Sequence, residues 1–279
     1  MKLRTPGKTP VFHLSAGFLF LFAVNLAACA KPPEGMVAVS GGSFTMGTNQ
    51  TDADGKAAEL GISKPWYADE NPAHRIDLPT FFIDVHEVTN AAYRTFAQET
   101  GRRPPQHWAG GQVPEEIGSH PVTHVSWDDA NAFCLWAEKR LPTEAEWEKA
   151  ARGPNGSLYP WGNQFKATAA NINAQIGTTT PVGRYEEGKS PYGAYDMVGN
   201  VWEWTATWYA PYPGGTYESQ LFGEKVRVLR GNSWAGLGHF SKEDTDTVKA
   251  YYSRAGHRLF LQPQGRLNDV GFRCVKSKS

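Results

Sequence analysis

The chain has 279 residues, and its 28 Lys and Arg are balanced by 28 Asp and Glu. That neutrality excludes partners recognised through bulk charge, nucleic acid first among them. Ten Trp, 29 Gly and 19 Pro point to a loop-rich globule held by aromatic clusters, and away from a helical bundle or coiled coil.

The chain opens with a targeting pattern. Lys2, Arg4 and Lys8 form a basic segment, Phe18 to Val24 an apolar one, and Leu26-Ala27-Ala28-Cys29 follows. This order reads as a secretory signal. The apolar run is shorter than the ~20 residues of a spanning helix. Small residues before a Cys resemble a bacterial lipobox. The resemblance implies a lipoprotein signal peptide over 1–28, lipidation of Cys29, and a tether over 29–35. It also implies a lipid-anchored protein of the bacterial cell envelope that faces the periplasm or exterior. The residue after Cys29 is not Asp, which favours the outer membrane. An ordinary signal cleaved near Ala28 or Ala30 is the alternative. With Cys29 set aside, Cys134 and Cys274 remain, in a compartment that permits a disulfide; two buried free thiols are the other reading.

The rest reads as one α+β domain over 36–276. Residues 36–46 (MVAVSGGSFTM) predict a hairpin turning at Gly41-Gly42. A polar loop spans 48–71, and strands follow at 75–78 and 81–85. Thr89 caps a helix to about Glu99, with Gly101 just past its end. Ser126 caps a second helix with Asp128 and Asp129 in its first turn. Trp127, Ala130, Cys134 and Ala137 step by three and four along it, so Cys134 points inward. Thr143 to Glu146 is a capping box opening a third helix, which runs to Arg152. Helical signals then stop. Short strands are expected at 225–230 and 271–275.

The densest stretch is 193–208, GAYDMVGNVWEWTATW. Alternation of Val201, Glu203 and Thr205 against Trp202, Trp204 and Ala206 predicts a strand with one aromatic face. The turn before it, 196–200, offers carbonyls that, with the Asp196 and Glu203 carboxylates, are of the kind that bind a hard cation.

Eight ordered motifs carry a resemblance to formylglycine-generating enzymes, also called sulfatase-modifying factors. They are MVAVSGGSFTMG, FIDVHEVTNAAY, PVTHVSW, RLPTEAEWEKAAR, YPWGN, the stretch 192–204, RGNSW and GFRC. The resemblance implies an elaborated C-type-lectin-like α+β fold with little regular secondary structure. It places a structural disulfide at Cys134 and Cys274; a second one found in some relatives falls at Ala151 and about Ala255. It places structural calcium on Asp196, Gly199, Val201 and Glu203. A second calcium site would begin at Asn171 and Ile172, where its downstream acidic ligand has no clear counterpart.

The catalytic residues depart from the family. Its members hold Cu(I) on two Cys beyond the RGNSW motif, and soft thiolates are what Cu(I) requires. Those positions fall near Gly236 and Ser241. Copper chemistry on a sulfatase Cys is therefore not expected. Relatives lacking these Cys include pyoverdine-maturing oxidases. Others, the ergothioneine-type sulfoxide synthases, carry their iron ligands on a helical domain that this sequence lacks. A non-haem iron site of His239 and His257 with Glu243, Asp244 or Asp246 is conceivable. Nothing in their spacing makes these residues converge. The expected pocket is bordered by Trp202, Arg230, Ser233, Trp234, His239, His257 and Arg258, with Arg273 nearby. Its Arg side chains suit a carboxylate and its Trp a planar group. Core packing and buried ion pairs are the competing roles. Two functions follow from this reading. One is oxidation of a peptide or natural product without the Cys pair. The other is a non-catalytic module that holds a protein, peptide or glycan at the envelope.

Overall fold

The apolar alternation of 36–46 does produce two strands, β1 (Met36–Val39) and β2 (Gly42–Met46), but they do not pair with each other. In a computed structural model, which describes residues 1–3, 7, 31–236 and 240–278, the chain next forms α1 (Lys56–Glu59), β3 (His74–Leu78) and β4 (Phe81–Asp84). β1 pairs with β4, and β2 with β3. The expected hairpin is thus divided between two sheets. Its two strands bury different side chains in different places. Val39 joins Phe81, Ile83 and Trp147, while Phe44 and Met46 pack with Tyr212. Gly41 marks the crossing, its N–H bonded to Thr80 Oγ1 at 2.9 Å.

Three helices follow as their caps predict. α2 (Asn90–Thr100) is capped by Thr89 and stops at Gly101. α3 (Trp127–Trp136) and α4 (Glu144–Arg152) both open with capping boxes, Ser126 with Asp129 and Thr143 with Glu146. Then come β5 (Trp202–Trp208), β6 (Arg227–Arg230), α5 (Lys242–Tyr252), β7 (Leu259–Leu261), β8 (Val270–Gly271) and β9 (Val275–Ser277). The expected strand over 271–275 is split: β8 pairs with β5 in parallel, and β9 pairs antiparallel with β4. Helix α5 lies where no helix is expected. Its start signal is nonetheless present, because Ser241 accepts the Asp244 N–H and Glu243 and Asp244 fill the first turn. The polar run 242–247 conceals the inward positions Val248 and Tyr251, which meet Trp66 in a satellite cluster.

Residues 32–279 make one unit. Its main core gathers Tyr93, Phe96, Trp108, Phe133, Trp204 and Phe272 around Cys134 and Cys274. These two cysteines are bonded, with their Cα atoms 5.7 Å apart. Ala151 and Ala255, the positions of the second bridge in relatives, are both fully buried in a neighbouring cluster and fill that space as methyl groups. β5 is not half-exposed as alternation suggests. Residues 202–205 are all buried, because the Glu203 face meets a guanidinium and an indole rather than water.

Candidate functional site

The order of the β7-β6-β5-β8 sheet brings the ends of distant segments together. Parallel pairing of β5 and β8 sets Trp202 N–H on the Asp269 carbonyl at 2.8 Å. Just past β6 the chain turns sharply at Gly231 (φ 104°) and Asn232 (φ 64°). A Cβ on Gly231 would lie 3.1 Å from the Trp147 ring and 3.3 Å from the Met197 carbonyl, so the close approach and positive φ both call for glycine. The turn aims Ser233 at Asp269, and its hydroxyl donates to Oδ2 at 2.8 Å. The half-buried Trp234 indole donates to the Asn268 carbonyl at 3.4 Å.

His124 completes the locus. Its N–H bonds the Leu267 carbonyl at 2.8 Å, which draws it alongside the 266–269 segment. It holds φ 58°, uncommon for a residue with a Cβ. Nδ1 shares a hydrogen bond with Thr123 Oγ1 at 3.2 Å. The His107 ring packs on it with centroids 4.5 Å apart. Burial lowers the His124 pKa, and the Asp269 carboxylate opposes that. His107 is pushed down to about 4 by burial and by His124. Both are therefore neutral at pH 7, and His124 is able to accept a proton. Ser233 is not a triad nucleophile: its hydroxyl donates to a carboxylate, and no His nitrogen of the described residues is bonded to it.

The predicted pocket residues separate. Trp202, Ser233 and Trp234 do border this locus. Arg230 and Arg258 do not; they are fully buried. Arg230 donates to Glu144, to Glu148 and to the Ala255 and Gly256 carbonyls. Arg258 grips both Glu144 oxygens, at 2.7 and 3.1 Å. A guanidinium in the interior needs carboxylates and carbonyls in place of water, so both serve the scaffold. Gly236 is exposed, two residues past Trp234 and nearest Ala174, whereas Ser241 caps α5.

His257 is 2% exposed and sits among Tyr251, Tyr252 and Trp202, its Nδ1 3.5 Å from Glu70. Only part of the expected iron set lies among the described residues. Asp244 pairs with Lys56, and Asp246 with Lys249 of its own helix. His239 lies outside the described residues, as does Cys29. Among the described residues no three His, Cys, Asp or Glu side chains converge as a metal cluster.

His257 carries a testable cost. Neither ring nitrogen has a hydrogen-bond partner. Burial lowers its pKa to about 4, against the upward pull of Glu70. An unfolded His binds its proton near pH 6.5. Folded-state depression means that the stabilising difference is complete above pH 6.5 and is lost as pH falls towards 4. Replacing His257 by Phe removes this loss. Relative to wild type, the variant should gain about 2.5 kcal/mol on going from pH 7 to pH 4.5. Urea unfolding at the two pH values measures the gain.

For calcium, the expected residues fit in part. Asp196 holds φ 53° and accepts the Gly183 N–H at 2.7 Å. Burial, with Glu203 nearby, raises its pKa to about 6. Glu87 is also fully buried and raised well above the usual carboxylate range, by burial and then by Asp196 and Glu203. Such a cluster gains from added positive charge. Asn200 ties it to Asn171: Asn200 Nδ2 donates to Glu87 Oε2 at 2.9 Å, and Asn200 N–H to the Asn171 carbonyl at 2.8 Å. Asn171 Oδ1 is buried without a partner, an oxygen of the type a calcium ion takes. Gly199, at φ 87°, lets the turn press on Asn171, where a Cβ would meet its carbonyl at 2.6 Å. Glu203 fits less well, since both its oxygens face Arg273 at 2.7 Å and Oε2 also accepts from Trp147 at 2.8 Å. A bound ion would supply charge neutralisation between these buried oxygens.

The sulfatase-modifying factor enzyme 1-like domain matches residues 22–278. The chain belongs to that family. It is 32% identical to the mouse (Mus musculus) inactive C-alpha-formylglycine-generating enzyme 2, over 87% of this chain and 85% of that protein. It is 36% identical to hercynine oxygenase of Mycolicibacterium smegmatis, over 71% of this chain and 54% of the other, so it spans about half of that enzyme. Among solved structures it resembles PvdO from Pseudomonas aeruginosa, with TM-score 0.63, 26% identity, and coverage of 87% and 94% of the two chains. The expected α+β, loop-rich, C-type-lectin-like fold is thereby established. The sequence reading missed Asp269, Glu87 and the pairing of His107 with His124. Asp269 stands two residues before the GFRC motif, the one signal that could have marked it.

Proposed function

We propose that this family member is a lipid-anchored protein of the bacterial envelope that binds a peptide or natural product at the surface beside Trp234 and His124 and oxidises it without paired thiolates. One observation carries the reading. The two copper-thiolate positions fall near Gly236 and the helix-capping Ser241, Cys134 and Cys274 are bonded to each other, and yet a neutral His124 stands close to the Asp269 carboxylate that Ser233 also bonds. The chemistry suited to such a locus starts from an electron-rich substrate, a catechol or dihydro-heterocycle. The substrate gives two electrons and two protons to dioxygen, which leaves as hydrogen peroxide. Neutral His124 takes the first proton, Asp269 favours the imidazolium so formed, and Ser233 and Trp234 orient the substrate. Structural calcium at the Asp196 turn belongs to the same proposal.

Peroxide release from a catechol-bearing peptide under air is the test. His124→Asn, which tolerates positive φ, should lower the rate about 100-fold or more, the usual worth of a positioned base. An unchanged rate in His124→Asn rejects the mechanism. Saturable binding of the peptide with no peroxide favours the second reading, a non-catalytic binding module, which the likeness to a relative named inactive supports.

A further inference from the structure

Two depressions lie on either side of the loop that follows β5, away from the residues of the locus above. One, of about 510 Å³, lies between the 51–71 segment and the loop; the other, of about 690 Å³, lies along the loop towards Phe222. Both are lined by Thr216 and Tyr217, so together they make a single groove that runs past the Tyr217 ring.

The walls are built rather than incidental. Arg258, which the sequence suggested as a ligand contact, ties them from behind. Its guanidinium donates to the Asp69 carbonyl at 2.6 Å on one wall and to the Ala210 carbonyl at 3.0 Å on the other. The Tyr209 hydroxyl adds a second tie, to Asp69 Oδ2 at 2.6 Å. Trp66 is held by stacking on Tyr251, with centroids 4.4 Å apart and planes 12° from parallel. Its Nε1 donor is buried and has no partner. Tyr217 stands edge-on to Phe222 at 6.0 Å. Aromatic faces fixed in this way bind without a large ordering cost.

The lining chemistry selects the ligand. It mixes aromatic rings (Trp66, Tyr217, Phe222) with hydroxyls, amides and two carboxylates, Asp52 and Glu218, and it contains no Lys, Arg or His. Phosphate, nucleic acid and acidic peptides would find no counter-charge among the lining side chains, the adjacent ammonium, Lys225, being spent on the Gln220 carbonyl. A ligand with apolar faces and many neutral hydroxyls matches both parts: rings stack on its C–H faces, and amide oxygens and the Glu218 carboxylate accept from its hydroxyls, Asp52 being occupied by the Lys56, Ala57 and Trp66 N–H groups. Two depressions that adjoin at Thr216 and Tyr217 suit several linked units. We infer that this groove binds a neutral oligosaccharide, with Tyr217 as its central stacking platform.

The test is titration of the purified protein with cellotetraose, chitotetraose and maltotetraose, followed by tryptophan fluorescence and calorimetry. Saturable binding of at least one is expected. Tyr217→Ala should weaken it at least tenfold with no change in the urea midpoint, because the ring is partly exposed and outside the core. His124→Asn should leave it unchanged, which separates the groove from the oxidation site. A lysine-rich peptide is the competing probe. The inference is overturned if none of the three saccharides binds, if Tyr217→Ala binds as wild type does, or if only the peptide binds.

Discussion

Glu203→Ala should lower the unfolding free energy by about 4 kcal/mol, the usual cost of breaking a buried ion pair from one side. Glu203 and Arg273 are both fully buried. The guanidinium donates two 2.7 Å hydrogen bonds to the carboxylate, and its remaining donors go to the Asp84, Val85 and Tyr195 carbonyls. Removal of the carboxylate leaves a cation in the interior and the Trp147 indole donor without its acceptor. Arg273→Met with Glu203→Leu should cost much less than either single change, because no charge is stranded. The same experiment separates two roles. If Glu203 acts through Arg273, its loss costs the same in calcium and in EDTA. Asp196→Ala should instead abolish the rise in melting temperature that calcium gives the wild-type protein. A wild-type melting temperature that is the same in calcium and EDTA would remove calcium from the proposal.

Replacing both Cys134 and Cys274 by Ser should cost about 5 kcal/mol in the chain-entropy account, since the bridge closes a loop of 140 residues. Both sulfurs are fully buried between α3 and the segment before β9, so the hydroxyls add a desolvation cost. Denaturant unfolding of the oxidised and reduced wild-type protein isolates the entropic part. A loss below about 1 kcal/mol on reduction would mean that the unfolded chain is already compact across this loop.

The contrast between these two predictions reflects how differently their residues could be read. Helix starts at Thr89, Ser126 and Thr143 are local events: a side chain bonds an amide three residues ahead, and a short window contains both partners. The motifs that placed the chain in its family likewise lie within short windows. Other features depend on partners far along the chain. The 36–46 strands look like a hairpin because their alternation is right, but pairing partners are chosen by the whole sheet. Arg230 and Arg258 look like ligand contacts because a guanidinium suits a carboxylate, and only the fold shows that the carboxylates are Glu144 and Glu148 of the chain itself.

The sequence alone shows that Gly236 and Ser241, near which the family's two thiolates would fall, carry no thiol. It also determined the family, the helix starts and the inward aspect of Cys134. Tertiary structure decided where charge is neutralised and where it is left in excess. Glu203 was assigned to Arg273, while Glu87 and Asp196 were left crowded together. Arg258 became the tie behind the Trp66–Tyr217 groove. His124 and Asp269 were brought together from positions far apart in sequence. Each of these outcomes depends on which groups share a low-dielectric interior, and spacing along the chain does not encode that.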